Sequence, residues 1–188
     1  MDESYIQTYT GKHYYFKNPT VDMIDIGDIA HALSQINRYT GHTKFPYNVA
    51  QHSLIVASLV PFPMQLEALM HDAHEAYVND IARPLKLLLP DYQMYEDKAA
   101  HVVKDRFGLF EGCDGTQFFN YKSTIKRADI IALITEQRDF MPADDTDWRL
   151  GFDVQPMAEH IEPLSPSDSE FKFMRMFEAL WWDRNDDS

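Results

Sequence analysis

Residues 68–80 read ALMHDAHEAYVND, and the winding of this stretch decides the fold. Leu69, Met70, Ala73, Ala76 and Tyr77 recur at three- and four-residue steps, the spacing of one helix face. On a wheel of about 100° per residue, His71, Asp72 and Glu75 share the other side. The segment therefore reads as a helix from about Met64 to Asn79, ended by Pro84 at the latest. A solvated polar face explains its acids and histidines as well as a metal site does. About one His-Asp dipeptide is expected by chance in a chain with 8 histidines and this much aspartate, so the pair alone decides nothing.

Partners have to come from neighbouring segments. Upstream, NVAQHSLIVASLV (48–60) keeps helical spacing and is opened by Asn48 or Tyr47. Pro61 and Pro63 then force a sharp corner, which makes the two helices antiparallel neighbours. His52 and His71 lie on either side of that corner at similar height. Downstream, Asp129 sits in KRADIIALITEQRD among apolar residues. Burying an acid there is costly unless it is paired or binds metal. A salt bridge to Lys126 or Arg127 is the plainer alternative. A catalytic divalent ion takes neutral imidazole and carboxylate ligands and keeps a position open for water. His52, His71, Asp72 and Asp129 are the candidate set.

The remaining segments complete an all-α reading. Residues 5–16 are aromatic and β-branched with a Thr10-Gly11 turn signal, so a β-hairpin or extended arm is expected. Segment 25–38 carries Ile26, Ile29, Ala30, Leu33 and Ile36 at helical steps, with Gly41 as the stop. RPLKLLL (83–89) is a short turn or helix. Asp91 is placed to cap a helix running to about Phe107, and Gly108, Gly112 and Gly115 mark a loop. A helix follows over roughly 120–140, then an Asp- and Pro-rich surface loop over 141–165. Ser167 or Asp168 starts a last helix whose aromatic and Met stripe is core packing. The expectation is one domain of 188 residues, a helical bundle with a small β appendage.

Composition bounds the function. A net charge of −13 argues against a nucleic-acid surface, but not against a small anionic substrate neutralised locally. Cys113 is the single cysteine, and a reducing compartment fits. MDESYIQTYT is not a signal peptide, and LIVASLVPF (54–62) is too short to span a bilayer. A cytoplasmic protein without a membrane partner is expected. The aromatics of Trp181-Trp182 and of the N-terminal arm point to a homo-oligomer, although core packing accounts for them equally.

The ordered pattern His52, His71-Asp72, Asp129 resembles the H…HD…D signature of HD-domain metal-dependent phosphohydrolases. IQTYTGKHYYF, DIGDIAHALSQINRYTGHT, YNVAQHS, EALMHDAHEAYVNDIARPLKLLLPDY and KRADIIALITEQRDF are all similar to small bacterial and phage HD-domain nucleotide hydrolases. The likeness runs closely over residues 5–140. It implies an HD-type helical bundle and hydrolysis of the 5′-phosphate ester of a deoxynucleotide. One branch releases triphosphate from dATP, which in such phages lets another purine replace adenine. The other is a 5′-deoxynucleotidase that releases phosphate from monophosphates. Basic residues suited to a long phosphate tail favour dATP. A non-catalytic nucleotide-binding HD module is the third alternative.

The resemblance also implies roles. His52, His71, Asp72 and Asp129 hold a divalent ion, with Zn, Co, Mn or Mg all compatible with the mixed set. Glu75 and Asp80 activate or orient the attacking water and touch a second ion. Arg38 contacts phosphate, and Tyr39, commonly Trp in relatives, lies beside the base. Lys86 and Lys126 contact phosphates, with Arg83 a weaker candidate.

Overall fold

A two-stranded hairpin and eight helices make up this computed structural model, which describes residues 4–109 and 120–186. In chain order they are β1 (Tyr5–Gln7), β2 (His13–Tyr15), α1 (Ile26–Gln35), α2 (Val49–Ser58), α3 (Gln65–Leu69), α4 (Glu75–Val78), α5 (Arg83–Lys86), α6 (Pro90–Phe107), α7 (Tyr121–Phe140) and α8 (Pro166–Asp186). Cys113, Gly112 and Gly115 lie outside the described residues. Among those described, no helix is long and apolar enough to cross a membrane.

A helix with no clear apolar side sits at the centre. α2 buries Val49, Ala50, Gln51, His52, Ser53, Val56 and Ala57, leaving it little exposed face, as expected of a helix surrounded by others. Its small residues Ala50, Ser53 and Ala57 let neighbours approach closely. It packs against α1, α3, α7 and α8. Asn48 caps it, its side chain accepting from the Gln51 amide at 2.9 Å. The Pro61/Pro63 corner turns the chain through a short 3-10 turn at Phe62–Met64 directly into α3.

The N-terminal segment forms the hairpin alternative. Tyr5 pairs with Tyr15, Ile6 with Tyr14 and Gln7 with His13, and Gly11 supplies the left-handed turn residue (φ 88°). Thr10 donates its amide and hydroxyl to buried Asp28 of α1, at 2.6 and 3.0 Å. Buried Tyr14 stacks on Tyr77, with ring centres 4.5 Å apart. The aromatic stripe of α8 packs as expected: Phe173, Phe177 and Leu180 are buried, and Trp181 stacks on Phe177. Trp182 faces solvent.

Four local expectations are corrected. The single helix expected over 64–79 is broken: α3 ends at Leu69, residues 70–74 are turns, and α4 begins at Glu75. The helix expected over 25–38, with Gly41 just beyond its end, stops at Gln35. Ile36 turns extended (ψ 112°) because its carbonyl accepts from the Val49 amide at 3.0 Å, while the Arg38 amide donates to the Tyr47 carbonyl at 2.9 Å. Asp91 is not the cap of α6. Pro90 takes the first helical position, where its missing N–H costs nothing, and Asp91 lies in the first turn. In α8 the cap is Ser165, whose hydroxyl accepts from the Asp168 amide at 3.1 Å, two or three residues earlier than expected.

Asp139 fastens the long 141–165 segment to the end of α7. Its carboxylate accepts from Arg138 Nε and Nη2 at 2.7 and 2.9 Å and from the Ile161 amide at 2.9 Å, and it contacts His160 Nδ1 at 2.7 Å. Burial pushes its pKa up, but Arg138, the Ile161 amide and His160 outweigh burial and hold it at about 2. A carboxyl whose pKa is depressed on folding stabilises the fold above its ordinary value of ~3.9, and that gain is lost as pH falls toward the folded value. Asp139→Asn is therefore expected to lower stability at pH 7 by about 1.5–3 kcal/mol, the range for hydrogen bonds to a charged group. In urea titrations the gap from wild type should shrink as pH drops from 4 to about 2. A gap constant over that range would show that the carboxylate charge is not what holds the loop.

Candidate metal centre

The break between α3 and α4 brings His71 and Asp72 inward. His71 Nδ1 contacts the Ala68 carbonyl at 2.7 Å, and the His71 amide reaches the same oxygen at 3.5 Å. That carbonyl would otherwise take the Asp72 amide in a continuing α-helix. Beyond it the backbone bonds step by three residues, Ala73 to Met70, Glu75 to Asp72 and Tyr77 to His74. The tighter winding is that of a 3-10 turn, so the 100° wheel does not hold across the HD pair.

His52 from α2 and His71 face each other with ring centres 5.3 Å apart. Ligand-type atoms of His52, His71 and Asp72 lie within 4.8 Å of one another. Asp72 Oδ2 is 3.1 Å from His71 Nε2 and 3.8 Å from His52 Nε2. Asp129 of α7 joins through His52, its Oδ1 standing 3.3 Å from His52 Nε2. Its other oxygen accepts from Lys126 Nζ at 2.6 Å, so the plainer salt bridge is also made. Arg127 turns elsewhere, donating to the Asp153 carbonyl at 3.1 Å.

The two imidazoles are set up alike. Each Nδ1 has a partner, Glu136 Oε1 at 2.6 Å for His52 and the Ala68 carbonyl at 2.7 Å for His71. Placing the proton on Nδ1 leaves the Nε2 lone pair for a ligand. Both Nε2 atoms are buried and make no hydrogen bond of good geometry; their nearest partners are carboxylate oxygens, Asp72 at 3.1 Å from His71 and Asp129 at 3.3 Å from His52. Buried nitrogens without a well-formed hydrogen bond, beside two carboxylates, fit a divalent ion, and they account for an otherwise costly arrangement.

Glu136, which the sequence reading missed, organises this centre. It is fully buried on α7 and bonds His52, Arg38 Nε at 3.2 Å, Tyr47 OH at 2.9 Å and Tyr39 OH. Burial pushes its pKa up, but Arg38, His52 and the Tyr39 hydroxyl outweigh burial and hold it at about 2. For His52, burial and Arg38 oppose protonation. The Glu136 and Asp129 carboxylates outweigh them and raise its pKa to about 9, so without an ion the ring also holds a proton on Nε2 at neutral pH, which a bound ion would displace. A signal for Glu136 existed: it lies seven residues, two helical turns, after Asp129 in the same apolar run.

Arg38 is buried behind the ligands. Beyond Glu136, its Nη1 lies 3.9 Å from Asp72 Oδ2. It is followed by two non-glycine residues in left-handed conformation, Tyr39 (φ 55°) and Thr40 (φ 54°). Such strain concentrates at functional sites. Here it lets adjacent residues, Arg38 and Tyr39, both reach Glu136. The Tyr39 ring leans against Trp148 of the 141–165 segment, centres 5.7 Å apart, a neighbour the sequence did not single out.

Glu75 opens α4 one step beyond the ligands. It is buried, its Oε2 has no partner, and burial together with Asp72 and Asp80 raises its pKa well above the ordinary range. Asp80 returns to the site because α4 stops at Val78 and Asn79 takes a positive φ of 74°. Burial raises the Asp80 pKa, with Arg38 opposing and Asp72 adding to the rise. Lys86 of α5 pairs with Glu96 of α6. His74, Glu75 and Glu96 also bring ligand-type atoms within 4.8 Å, but there the Lys86 ammonium already supplies the cation on Glu96.

These features define an all-α protein with a buried His/Asp centre suited to a divalent ion. No protein-family model matches the chain. It is 40% identical over 179 residues to the Escherichia coli K12 protein YfdR, described as uncharacterized, covering 94% of this chain and 96% of that one. The chain belongs to the same family as YfdR. It is also 33% identical over 119 residues to an uncharacterized Rhodobacter capsulatus protein, covering 58% of this chain and 61% of that one.

Proposed function

We propose that this protein is a metal-dependent phosphohydrolase of the HD type that cleaves the 5′-phosphate ester of deoxynucleotides, with dATP giving deoxyadenosine and triphosphate as the leading reaction. The observation that carries this reading is the pair of buried Nε2 atoms of His52 and His71, neither in a well-formed hydrogen bond and both turned to carboxylate oxygens of Asp72 and Asp129. His52, His71, Asp72 and Asp129 would hold the ion. When bound, it supplies Lewis acidity, lowering the pKa of water and drawing charge from a phosphoryl oxygen.

The chain's own residues supply the rest. Glu75 has a free oxygen and an environment that favours its proton, the condition for taking a proton from water and passing it on. Asp80 orients the same water from the other end of α4. Arg38, fixed by Glu136, lends fixed positive charge beside Asp72. Lys86 and Lys126 stand near the acids and meet the phosphates, and Tyr39 offers a ring face to the base.

The test is a product assay with Mn²⁺ or Co²⁺ on dATP, dGTP and dAMP. Triphosphate released from dATP is the expected result. Phosphate from dAMP with dATP untouched would make the protein a 5′-deoxynucleotidase. Failure to bind any divalent ion would leave only a nucleotide-binding module.

A further inference from the structure

We propose that His74, Glu75 and Glu96 form a second divalent-cation site that the Lys86 ammonium occupies, so that the centre works with one metal ion and one built-in cation. The occupancy stands on the packing of α4, α5 and α6. Its use on substrate phosphate rests on the phosphohydrolase reading and deepens it, by setting how many ions the reaction takes.

His74 and Glu75 lie where the turns at 70–74 enter α4, and Glu96 lies in the second turn of α6. One ligand-type atom from each lies within 4.8 Å of the others, close enough for a single ion to bridge. One imidazole and two carboxylates suit Mn or Zn. Acids gathered near a surface mean little alone, but Glu75 is only 4% exposed and its Oε2 has no hydrogen-bond partner. A buried carboxylate oxygen without a donor is costly, and a cation facing it lowers that cost. Arg38 and Lys86 are the positive groups that act on Glu75, and Arg38 is committed to Glu136.

Lys86 stands at the shared oxygen of the cluster. Its ammonium bonds Glu96 Oε1, the same atom that His74 Nε2 approaches at 3.6 Å. Neighbouring positions on α6 put it there. Gln93 Nε2 donates to the Lys86 carbonyl at 2.7 Å, the Tyr92 ring centre lies 6.0 Å from Nζ, and Glu96 takes the charge. Positions 92, 93 and 96 fall within one turn and share a face. Tyr92 also reaches α4, its hydroxyl donating to the Asn79 carbonyl at 2.9 Å. Burial opposes the charge on Lys86, but Glu96, with Glu75 and Asp72 adding to it, outweighs burial and raises the pKa. The ammonium therefore stays charged at neutral pH. Unlike an ion it is tethered to the chain, so a chelator strips only the ion at His52, His71, Asp72 and Asp129. An ammonium has three donors, and bonding Glu96 does not keep it from a phosphate oxygen. It thus supplies the second positive charge that a two-ion phosphohydrolase takes from solution.

The experiment counts Mn²⁺ per full-length chain by calorimetry and by mass spectrometry after dialysis. Wild type is expected to hold one ion, Lys86→Ala two, and Lys86→Ala/Glu96→Gln one again. Ions spread over the acidic surface survive Glu96→Gln and are told apart in this way. Lys86→Met gives the same comparison should the Ala variant not fold. A second ion in wild type that Glu96→Gln removes overturns the proposal. So does a Lys86→Ala variant that gains no ion, or whose second ion persists without Glu96, and both leave the hydrolase reading in place. No ion in wild type, with one Glu96-dependent ion in Lys86→Ala, upholds the second site and removes the hydrolase reading instead.

Discussion

Asp72→Ala is expected to abolish divalent-ion binding and to lower the proposed nucleotide hydrolysis by about 10³-fold or more, since the ion would supply the Lewis acidity of that reaction. Asp72 is the carboxylate of the tightest grouping, 3.1 Å from His71 Nε2 and 3.8 Å from His52 Nε2. Without it two imidazoles and the partly committed Asp129 remain, too little negative charge to hold a hard cation against water. The variant should still fold. The Asp72 side chain is about one-fifth exposed, and its removal takes a like charge away from buried Glu75. Metal content by mass spectrometry, metal affinity by calorimetry and product analysis check the three parts separately. Full metal stoichiometry with undiminished hydrolysis would remove the proposed centre.

The second large effect is expected at Glu136, which touches no substrate in this reading and acts through His52. Glu136→Gln keeps the shape of the side chain but removes the charge that holds Arg38 and orients His52. Metal affinity is expected to fall by about 10–100-fold, the cost of losing the carboxylate behind a ligating histidine. Glu136→Ala should in addition cost stability of about 3–5 kcal/mol, because buried Arg38 loses its carboxylate partner. A purely structural role predicts a lower melting temperature with unaltered metal affinity in the Gln variant. The positioning role predicts the affinity loss even at temperatures where the variant is fully folded. It also predicts that the His52 Nδ1 proton resonance moves in Glu136→Gln before any metal is added.

Legibility differed between the scaffold and the centre. α2, α7 and α8 were readable because each carries a long apolar pattern, and Asn48 and the Pro61/Pro63 corner act within a few residues of where they stand. The height match of His52 and His71 followed from that corner alone. The break at residues 70–74 was not readable. It comes from His71 folding back onto the Ala68 carbonyl, a local bond that competes with the helix and leaves no mark in hydrophobic spacing. On a continuous wheel Asp80 falls about 180° from His71, whereas α4 stops at Val78.

The sequence by itself determined a helical bundle and the hairpin option, and it set His52 and His71 at similar height on either side of one corner. Those outcomes rest on periodicity, caps and prolines, which are short-range and written in the order of residues. Only the tertiary structure decided that Glu136 stands behind His52 and that Arg38 and Tyr39 turn onto it through two left-handed residues. Each of these joins segments far apart in the chain. Their energies come from burying paired charges, which depends on what surrounds a side chain in space, and that is not encoded in the spacing along any one helix.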